Sequence, residues 1–377
     1  MPYWRLSGFY FFYFATLGAL VPYWGLYLQS IGFTPLDIGM LMALLMISRI
    51  VAPVLWAWIA DHRAQRMRVV RLAALLTVVT FAGVFFGTGF WWLAAVMMAF
   101  SFFWNASLPL IEVITLNHMD GQPGAYGRVR LWGSLGFISS VVLLGMIIDA
   151  HGPRWVLPAL LLLMLGIWSC TQVLPETEAR VLSEPAGRLR DVIRRPEVLA
   201  FLLACFLMQA SHGPYYTFYS IYLEDHGYSK TLIGFLWAFA VLCEIGVFLL
   251  TRRLLQHIAL RSLLLLSFAL ATLRWLLIGH FPDSLAVLIA AQMLHAATFG
   301  SFHASAIQMV YGFFTGRHQH RGQAIYGSAS FGLGGAVGSL YSGYTWSSLG
   351  PTGSFDIAAL LAGMAFVVAY LFLREPT

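Results

Sequence analysis

Residues 27–39, YLQSIGFTPLDIG, return in altered form at residues 222–234, YLEDHGYSKTLIG. Each copy connects one long apolar stretch to the next. A second, shorter repeat pairs Gly133-Ser134 with Gly327-Ser328. Repetition at this distance predicts that the chain is built from two related halves that share one orientation.

The composition is that of a membrane protein. Hydrophobic residues make up 59% of the 377 residues and charged residues only 10%, far from the soluble balance. Twelve apolar windows are long enough to cross a bilayer: 5–28, 36–59, 68–88, 90–117, 126–149, 153–174, 197–223, 230–252, 260–280, 283–312, 319–347 and 352–373. We therefore expect an all-α membrane protein with twelve transmembrane helices in two six-helix repeats. The predicted domains are 1–174, a charged cytoplasmic linker at 175–196, and 197–377.

The basic residues are distributed unequally between the two sides of the predicted membrane. Of 22 Lys and Arg residues, Arg49 and Arg274 lie deep within spans and only Arg154 and Lys230 lie near the span ends on one side, which leaves 18 near or beyond the span ends on the other. Lys and Arg are retained on the cytoplasmic side, so both termini are expected in the cytoplasm. Because these residues flank helices, nucleic-acid binding has little support.

Arg49 and Glu244 lie in the middle of spans 2 and 8, at corresponding positions of the repeat. An ionised side chain at the bilayer centre costs roughly 2.5–3.5 kcal/mol on insertion scales, so it normally faces a protein interior or a watery cavity. The two residues therefore predict a polar pathway through the membrane.

The N-terminal half carries a second set of polar residues near the cytoplasmic end. Steps of four and seven residues place Ser101, Asn105 and Glu112 on one face of helix 4, and Arg130 opens helix 5. A carboxylate and a guanidinium across a wet cavity can exchange partners with a polar solute. Alternatively, Glu112 is a solvated end residue and Arg130 an ordinary cytoplasmic anchor.

The C-terminal half places charged and titratable groups on three helices. Glu244, Arg274, His295 and His303 lie at membrane depth on predicted helices 8, 9 and 10. Glu244 and Arg274 could form a permanent ion pair that locks the bundle, and His303 could be a hydrogen-bonded packing residue. The chain offers no third well-placed ligand beside the histidines, so we expect no metal site.

Aromatic and polar side chains enrich helices 1 and 7. Flat apolar walls with a few hydrogen-bonding groups suit a ring-bearing solute. Interfacial aromatic belts explain much of the same content. The candidates for solute binding are Tyr23, Tyr27, Gln209, His212 and Tyr216.

Four motifs in order resemble the phenylpropionate permease family of the major facilitator superfamily, a branch similar to the lactose permease group of proton symporters. They are Tyr126–Ser134 (YGRVRLWGS), Gln209–Tyr216 (QASHGPYY), Arg274-Trp275, and Gln292–His295 (QMLH) followed by Phe299 and His303. The loop after helix 2 is similar to a degenerate gating loop of that superfamily, with Asp61, Arg63 and Arg66 as its charged residues.

The resemblance implies roles for the charged residues. Glu112 and Arg130 correspond to an acid–arginine pair that holds the solute, and Arg49 becomes a second anchor for a carboxylate, unless it forms a fixed pair. Glu244, Arg274 and His295 resemble a coupling cluster of an acid, an arginine and a histidine, but the further carboxylate expected three residues after the histidine is Thr298 here. Two substitutes for the proton carrier are open: Glu244, which is shielded from water and could bind the proton near neutral pH, or His295 and His303, which lie eight residues apart on one helical face. We favour Glu244 as the carrier and His295 as its modulator.

These observations predict a proton-coupled importer of a small aromatic or aryl-alkyl carboxylate that works by alternating access as a single polypeptide without cofactors. Import of a nucleoside or sugar, and efflux of drugs or metabolites, are the alternatives. A membrane-bound enzyme is disfavoured because the sequence contains no phosphate-binding glycine loop, nucleophile elbow or HExxH motif.

Overall fold

The computed structural model describes residues 2–63, 66–118, 123–176 and 189–376, without the side chains of residues 61, 63, 123–125, 251–256 and 317. Every regular element in these ranges is helical. The first six long helices are α1 (Tyr3–Ser30), α2 (Pro35–Arg63), α3 (Arg66–Phe81), α4 (Phe90–His118), α5 (Pro123–His151) and α6 (Val156–Val173). Short 3-10 turns at Ala82–Phe85 and Pro153–Trp155 follow α3 and precede α6.

The C-terminal helices are more interrupted. They are α7 (Pro196–Ser211 and Gly213–Asp225), α8 (Lys230–His257), α9 (Leu260–His280), α10 (Leu285–His295 and Phe302–Phe313), α11 (Gln319–Gly327 and Gly335–Ser348) and α12 (Gly350–Phe372). The two parts of α10 are joined by a π-helical segment, Ala296–Ser301, and those of α11 by another, Ser328–Gly334. A short helix, Leu189–Ile193, lies in the predicted linker, whose residues 177–188 fall outside the described ranges.

The predicted spans are confirmed by the helices. Within the described ranges, eleven helices are long and apolar enough to cross a membrane. The remaining predicted span, 319–347, coincides with α11, whose helical run is rich in Gly and Ser and is therefore less apolar. Phe86 and Trp91 are each more than four-fifths exposed, as expected of side chains that meet lipid or its interface.

The chain forms two compact units. Unit 1 comprises Met1–Val181 with Tyr228–Ala238, and unit 2 comprises Leu182–Gly227 with Phe239–Thr377. The first residues of α8 thus cluster with the N-terminal helices. The predicted domain boundaries at residues 174 and 197 stay a prediction.

The two units repeat one packing pattern. In unit 1, α1 packs on α5 and α6, and α3 packs on α4 and α6. In unit 2, α7 packs on α11 and α12, and α9 packs on α10 and α12. The six-helix repeat predicted from the sequence is confirmed at this level.

Matching carboxylates cap the third helix of each unit. Both Glu176 oxygens lie within 3.0–3.3 Å of the Met67 backbone N–H, at the start of α3. Oε1 of Glu375 accepts from the Arg261 backbone N–H at 3.0 Å, at the start of α9. A helix N-terminus leaves N–H groups without intrahelical partners and favours negative charge. The third residue after the sixth helix of each unit therefore caps the start of the third helix.

The start of α8 is tied to α1 and α5 inside unit 1. Asp149 accepts hydrogen bonds from the backbone N–H groups of Lys230 at 2.8 Å and Thr231 at 2.7 Å. The hydroxyl of Tyr23 donates to the Val141 carbonyl at 2.6 Å. A side chain at Gly145 would collide with the Lys230 carbonyl. These contacts explain why Tyr228–Ala238 belongs to unit 1.

Glycines permit the closest helix packing in both units. A Cβ atom at Gly136 of α5 would overlap the Phe11 carbonyl of α1. A Cβ atom at Gly213 of α7 would overlap the Gly338 carbonyl of α11. Only residues without a side chain let these backbones approach so closely.

Candidate functional site

Unit 1 contains a polar cluster formed by α1, α4 and α5. The hydroxyl of Tyr126 lies 3.5 Å from Oε1 of Glu112, a long hydrogen bond. The guanidinium of Arg130 lies 3.8 Å from the centre of the Phe14 ring and acts electrostatically on Glu112. Glu112 and Arg130 are both half-buried. The acid and the arginine that the sequence predicted as partners thus lie in one cluster without an ion pair within 4 Å between them, and their pairing stays a prediction.

Tyr10 and Tyr13 of α1 complete this cluster. The hydroxyl of Tyr10 donates to Oγ1 of Thr115 at 3.3 Å. The Tyr13 ring stacks on Trp104 at 5.0 Å. Both tyrosines lie within the electrostatic influence of Glu112 and Arg130. Sequence reasoning missed them, although the repeated aromatic residues along α1 were a usable signal.

A small cavity in unit 1 is lined by Arg49 of α2 and Asn105 of α4. The side chain of Asn105 donates to Oγ of Ser48 at 2.8 Å. Arg49 is half-buried and acts electrostatically on Tyr13. The other lining residues are Leu17, Leu20, Val21, Met42, Leu45, Met46, Ser101 and Trp104. The cavity connects the predicted second anchor with the polar face of α4.

The two predicted binding tyrosines of α1 are buried. Tyr23 is fully buried, and its hydroxyl donates a hydrogen bond to the Val141 carbonyl. Tyr27 is 3% exposed and packs against Trp24 with the ring centres 5.2 Å apart. In this structure both residues hold helices together, and their role in solute binding stays a prediction.

Unit 2 buries Arg274 completely. Its Nε donates to the Ala291 carbonyl at 3.0 Å, Nη2 to Oε1 of Gln292 at 3.1 Å, and Nη1 to Oγ1 of Thr298 at 3.2 Å. The guanidinium lies over the Tyr215 ring at 4.2 Å. No described carboxylate lies within 4 Å of Arg274, so the fixed ion pair with Glu244 considered above is not formed.

Glu244 instead lies beside His295. Its Oε2 is 3.8 Å from Nε2 of His295, and the two side chains are only 15% and 6% exposed. The ring of His295 stacks on Phe299 at 5.4 Å, and Phe299 stacks on His303 at 6.1 Å. Six residues of α10, Ala296–Ser301, form the π-helical segment. Its wider turn brings side chains four residues apart closer to alignment, and such segments are frequent at functional sites.

The α7 candidates surround a buried histidine. His212 is fully buried, and its Nδ1 contacts the Met208 carbonyl at 2.8 Å. Its ring lies edge-on to Trp275 at 4.8 Å and stacks on Tyr216 at 5.5 Å. Within the described residues, Nε2 of His212 and Nε2 of Gln209 have no hydrogen-bond partner. Buried polar atoms of this kind favour a site that a ligand completes.

Sequence reasoning missed Tyr215 and Gln292 as site residues, although both lie inside motifs that were recognised. The hydroxyl of Tyr215 donates to Oε1 of Gln292 at 3.0 Å, and that oxygen also accepts from Arg274. The signal was their position in these motifs, because Tyr215 lies three residues after His212 and Gln292 three residues before His295. The predicted gating loop is only partly described: Arg66 begins α3 and is half-buried, whereas the side chains of Asp61 and Arg63 lie outside the described part.

Two six-helix repeats with charged groups held inside the bundles define a secondary transporter. The chain belongs to the MFS_1-like family of the major facilitator superfamily, whose model matches residues 3–357. It is a transporter and not an enzyme.

Two curated relatives match almost the whole chain. One, from Escherichia coli strain K12, is 30% identical over 357 residues, 94% of this chain and 93% of its own, and is described as a probable 3-phenylpropionic acid transporter. Another is a maltose permease of Geobacillus stearothermophilus, 28% identical over 343 residues, 89% of this chain and 86% of its own.

Solved structures share the fold. The nucleoside transporter NupG superposes with a TM-score of 0.83 at 17% identity, covering 98% of both chains. A bacterial homologue of the human lysosomal transporter Spinster superposes with a TM-score of 0.72 at 13% identity, covering all of both chains. Identities this low support a shared fold and give no evidence about the substrate.

Proposed function

We propose that the protein imports a small aromatic or aryl-alkyl carboxylate together with protons, by alternating access. The observation that carries the proposal is that each unit holds an arginine against aromatic rings: Arg130 against Phe14, and Arg274 against Tyr215. A positive charge beside aromatic surface complements a solute that combines a carboxylate with a ring. The relative described as a probable 3-phenylpropionic acid transporter points to the same class.

In unit 1, Arg130 and Arg49 are the proposed anchors for the carboxylate. Glu112 lies within electrostatic range of Arg130 but forms no ion pair with it within 4 Å, so the guanidinium can bind an anionic solute without first breaking one. Arg presents its donors as a planar fork that fits a carboxylate by two bonds. Asn105, lining the same cavity as Arg49, supplies a neutral polar contact.

In unit 2, Glu244 is the proposed proton carrier and His295 its modulator. Their side chains are 3.8 Å apart and nearly inaccessible to solvent. A carboxylate in such a site gains or loses a proton with a large change in local electrostatic energy. Loading of Glu244 would therefore alter its interaction with His295 and bias the conformation.

The topology follows from the distribution of basic residues. We propose a bacterial inner-membrane protein with both termini in the cytoplasm, with residues 1–174 and 197–377 as its two domains. It would work as a single polypeptide.

Uptake by purified protein in proteoliposomes tests the function. Labelled 3-phenylpropionate, a nucleoside and maltose are offered with and without an imposed gradient that is acidic outside. The expected result is accumulation of the aryl carboxylate alone, increased by the gradient. Accumulation of the nucleoside or maltose alone would replace the proposed substrate class.

Glu244→Gln separates coupling from binding, because glutamine keeps the shape of the side chain and cannot carry the proton. We expect gradient-driven accumulation to disappear while exchange of labelled for unlabelled solute continues. If Glu244→Gln accumulates the solute as the unsubstituted protein does, Glu244 is not the carrier. If the unsubstituted protein ignores the gradient, proton coupling is wrong.

A further inference from the structure

Arg274 is an unusual buried cation, because every acceptor that it uses is neutral. Its three described hydrogen bonds go to a backbone carbonyl, the amide oxygen of Gln292 and the hydroxyl of Thr298. The side chain is 0% exposed. These oxygens fix the geometry of the guanidinium but leave its full positive charge.

A buried charge is costly unless an opposite charge compensates for it. No described carboxylate lies within 4 Å of Arg274. Glu244, the carboxylate that shares this region of unit 2, lies 3.8 Å from His295 instead. His212 and His295 both lie within the electrostatic influence of Arg274.

The surroundings also contain polar atoms that a ligand could use. Within the described residues, Nε2 of Gln292, Nε2 of His212 and Nδ1 of His295 are buried without a hydrogen-bond partner. Oε1 of Gln292 already accepts from Arg274 and from Tyr215, so its amide nitrogen remains to donate. The charge, an unused amide donor and two imidazole nitrogens thus lie in one region.

We propose that Arg274 is the fixed positive charge that selects an anionic solute, and that Gln292 and Thr298 determine this selectivity because they are neutral. The solute supplies the compensating negative charge that no described carboxylate supplies within 4 Å of Arg274. It need not touch the guanidinium, because a unit charge in a weakly polar interior acts over several ångströms. The inference rests on the proposed function and names residues that set charge specificity within it.

Gln292→Glu is the sharpest test, since it places a carboxylate beside Arg274 without changing the size of the side chain. Purified protein in nanodiscs is titrated with 3-phenylpropionate and with its neutral amide, 3-phenylpropionamide. The unsubstituted protein should prefer the acid. In Gln292→Glu the ratio of acid to amide affinity should fall about tenfold or more, while the amide still binds.

Thr298→Asp and Thr298→Asn form a second, matched pair. The two side chains are almost equal in size, so a fall in the acid-to-amide ratio for Asp but not for Asn reports charge and not packing. Thermal melting shows that each variant is folded. If one variant does not fold, the other substituted position still decides the question.

The outcomes separate this inference from the proposed function. An acid-to-amide ratio that is unchanged in both Gln292→Glu and Thr298→Asp overturns the inference and leaves aryl carboxylate import intact. Equal affinity of the unsubstituted protein for acid and amide also overturns it. Binding of neither compound removes the proposed function, and the inference with it.

Discussion

The arginines of the two units are held in different ways. Arg130 in unit 1 is half-buried, near a carboxylate, and lies against Phe14. Arg274 in unit 2 is wholly buried and bound by three neutral oxygens. A guanidinium near a carboxylate can change partners, whereas one fixed by neutral groups keeps its place and its charge. The repeat thus preserves the scaffold while the polar interiors of the units differ.

The scaffold itself is closely repeated. Glu176 caps α3 in unit 1, and Glu375 caps α9 in unit 2. Gly136 and Gly213 each permit a backbone contact between corresponding helices. Changes to the scaffold should therefore act equally in the two units, and changes to the arginines should not.

Arg274→Lys should produce the largest effect. Lysine cannot reproduce the planar fork, so at least two charged hydrogen bonds are lost and the free energy of unfolding falls by about 2–4 kcal/mol. Transport should be lost as well. Chemical unfolding in mixed micelles measures the loss.

Arg130→Lys is the matched change in unit 1. Because Arg130 is partly exposed to solvent, its replacement should lower the free energy of unfolding by about 1 kcal/mol or less. Similar losses for the two variants would contradict the distinction between a fixed and an exchangeable arginine.

Gly136→Ala and Gly213→Ala should each destabilise the protein by about 1–3 kcal/mol, because the new Cβ atom would overlap a neighbouring backbone. Gly246→Ala is the control, since nothing lies within 4 Å of its Cβ position. Melting temperatures of the three variants decide the matter. A Gly246→Ala variant as unstable as the others would refute close packing as the cause.

Asp149→Ala tests the part of α8 that unit 1 holds. The backbone N–H groups of Lys230 and Thr231 lose their acceptor, which should cost about 1 kcal/mol, as for other N-caps. Hydrogen exchange at the start of α8 should increase while exchange at the start of α9 stays constant. Unchanged exchange at both helix ends would show that the cap adds nothing.

Glu176→Gln and Glu375→Gln should have the smallest effects. Each removes a negative charge from a helix N-terminus but keeps an oxygen acceptor, so a loss of about 0.3–1 kcal/mol is expected. Melting curves of the two variants measured in parallel provide the comparison. A loss in one variant only would show that the repeat has diverged at the scaffold as well.

The sequence predicted the fold well. Length and hydropathy located the spans, and the repeated segments at 27–39 and 222–234 indicated the two halves. Helical spacing also placed Asn105 and Glu112 on one face, because that spacing is a property of a single helix.

Contacts between helices were harder to predict. The ion pair of Glu244 with Arg274 was a reasonable alternative, but Arg274 is bound by the Ala291 carbonyl and two neutral side chains. A backbone acceptor has no signature in the sequence, since every residue carries one. The recognition that Thr298 replaces an expected carboxylate was the one hint that the buried charge lacks a fixed counter-ion.

The hydroxyl of Tyr23 illustrates the same limit. The aromatic ring of Tyr23 and its position on α1 suggested solute binding, yet its hydroxyl donates a hydrogen bond to the Val141 carbonyl. Whether a tyrosine faces a cavity or a neighbouring backbone depends on helix rotation, which a pattern within one helix does not fix.

The π-helical segment of α10 has a consequence for any comparison of homologous chains. One extra residue per turn shifts the angular phase of everything after it by about 100° relative to an uninterrupted α-helix. Deleting a single residue between Ala296 and Ser301 would therefore turn the π-helical segment into an α-helical turn and leave both His295 and His303 facing their present neighbours. The same deletion in an α-helical part of α10 would instead rotate the rest of the helix by about 100°.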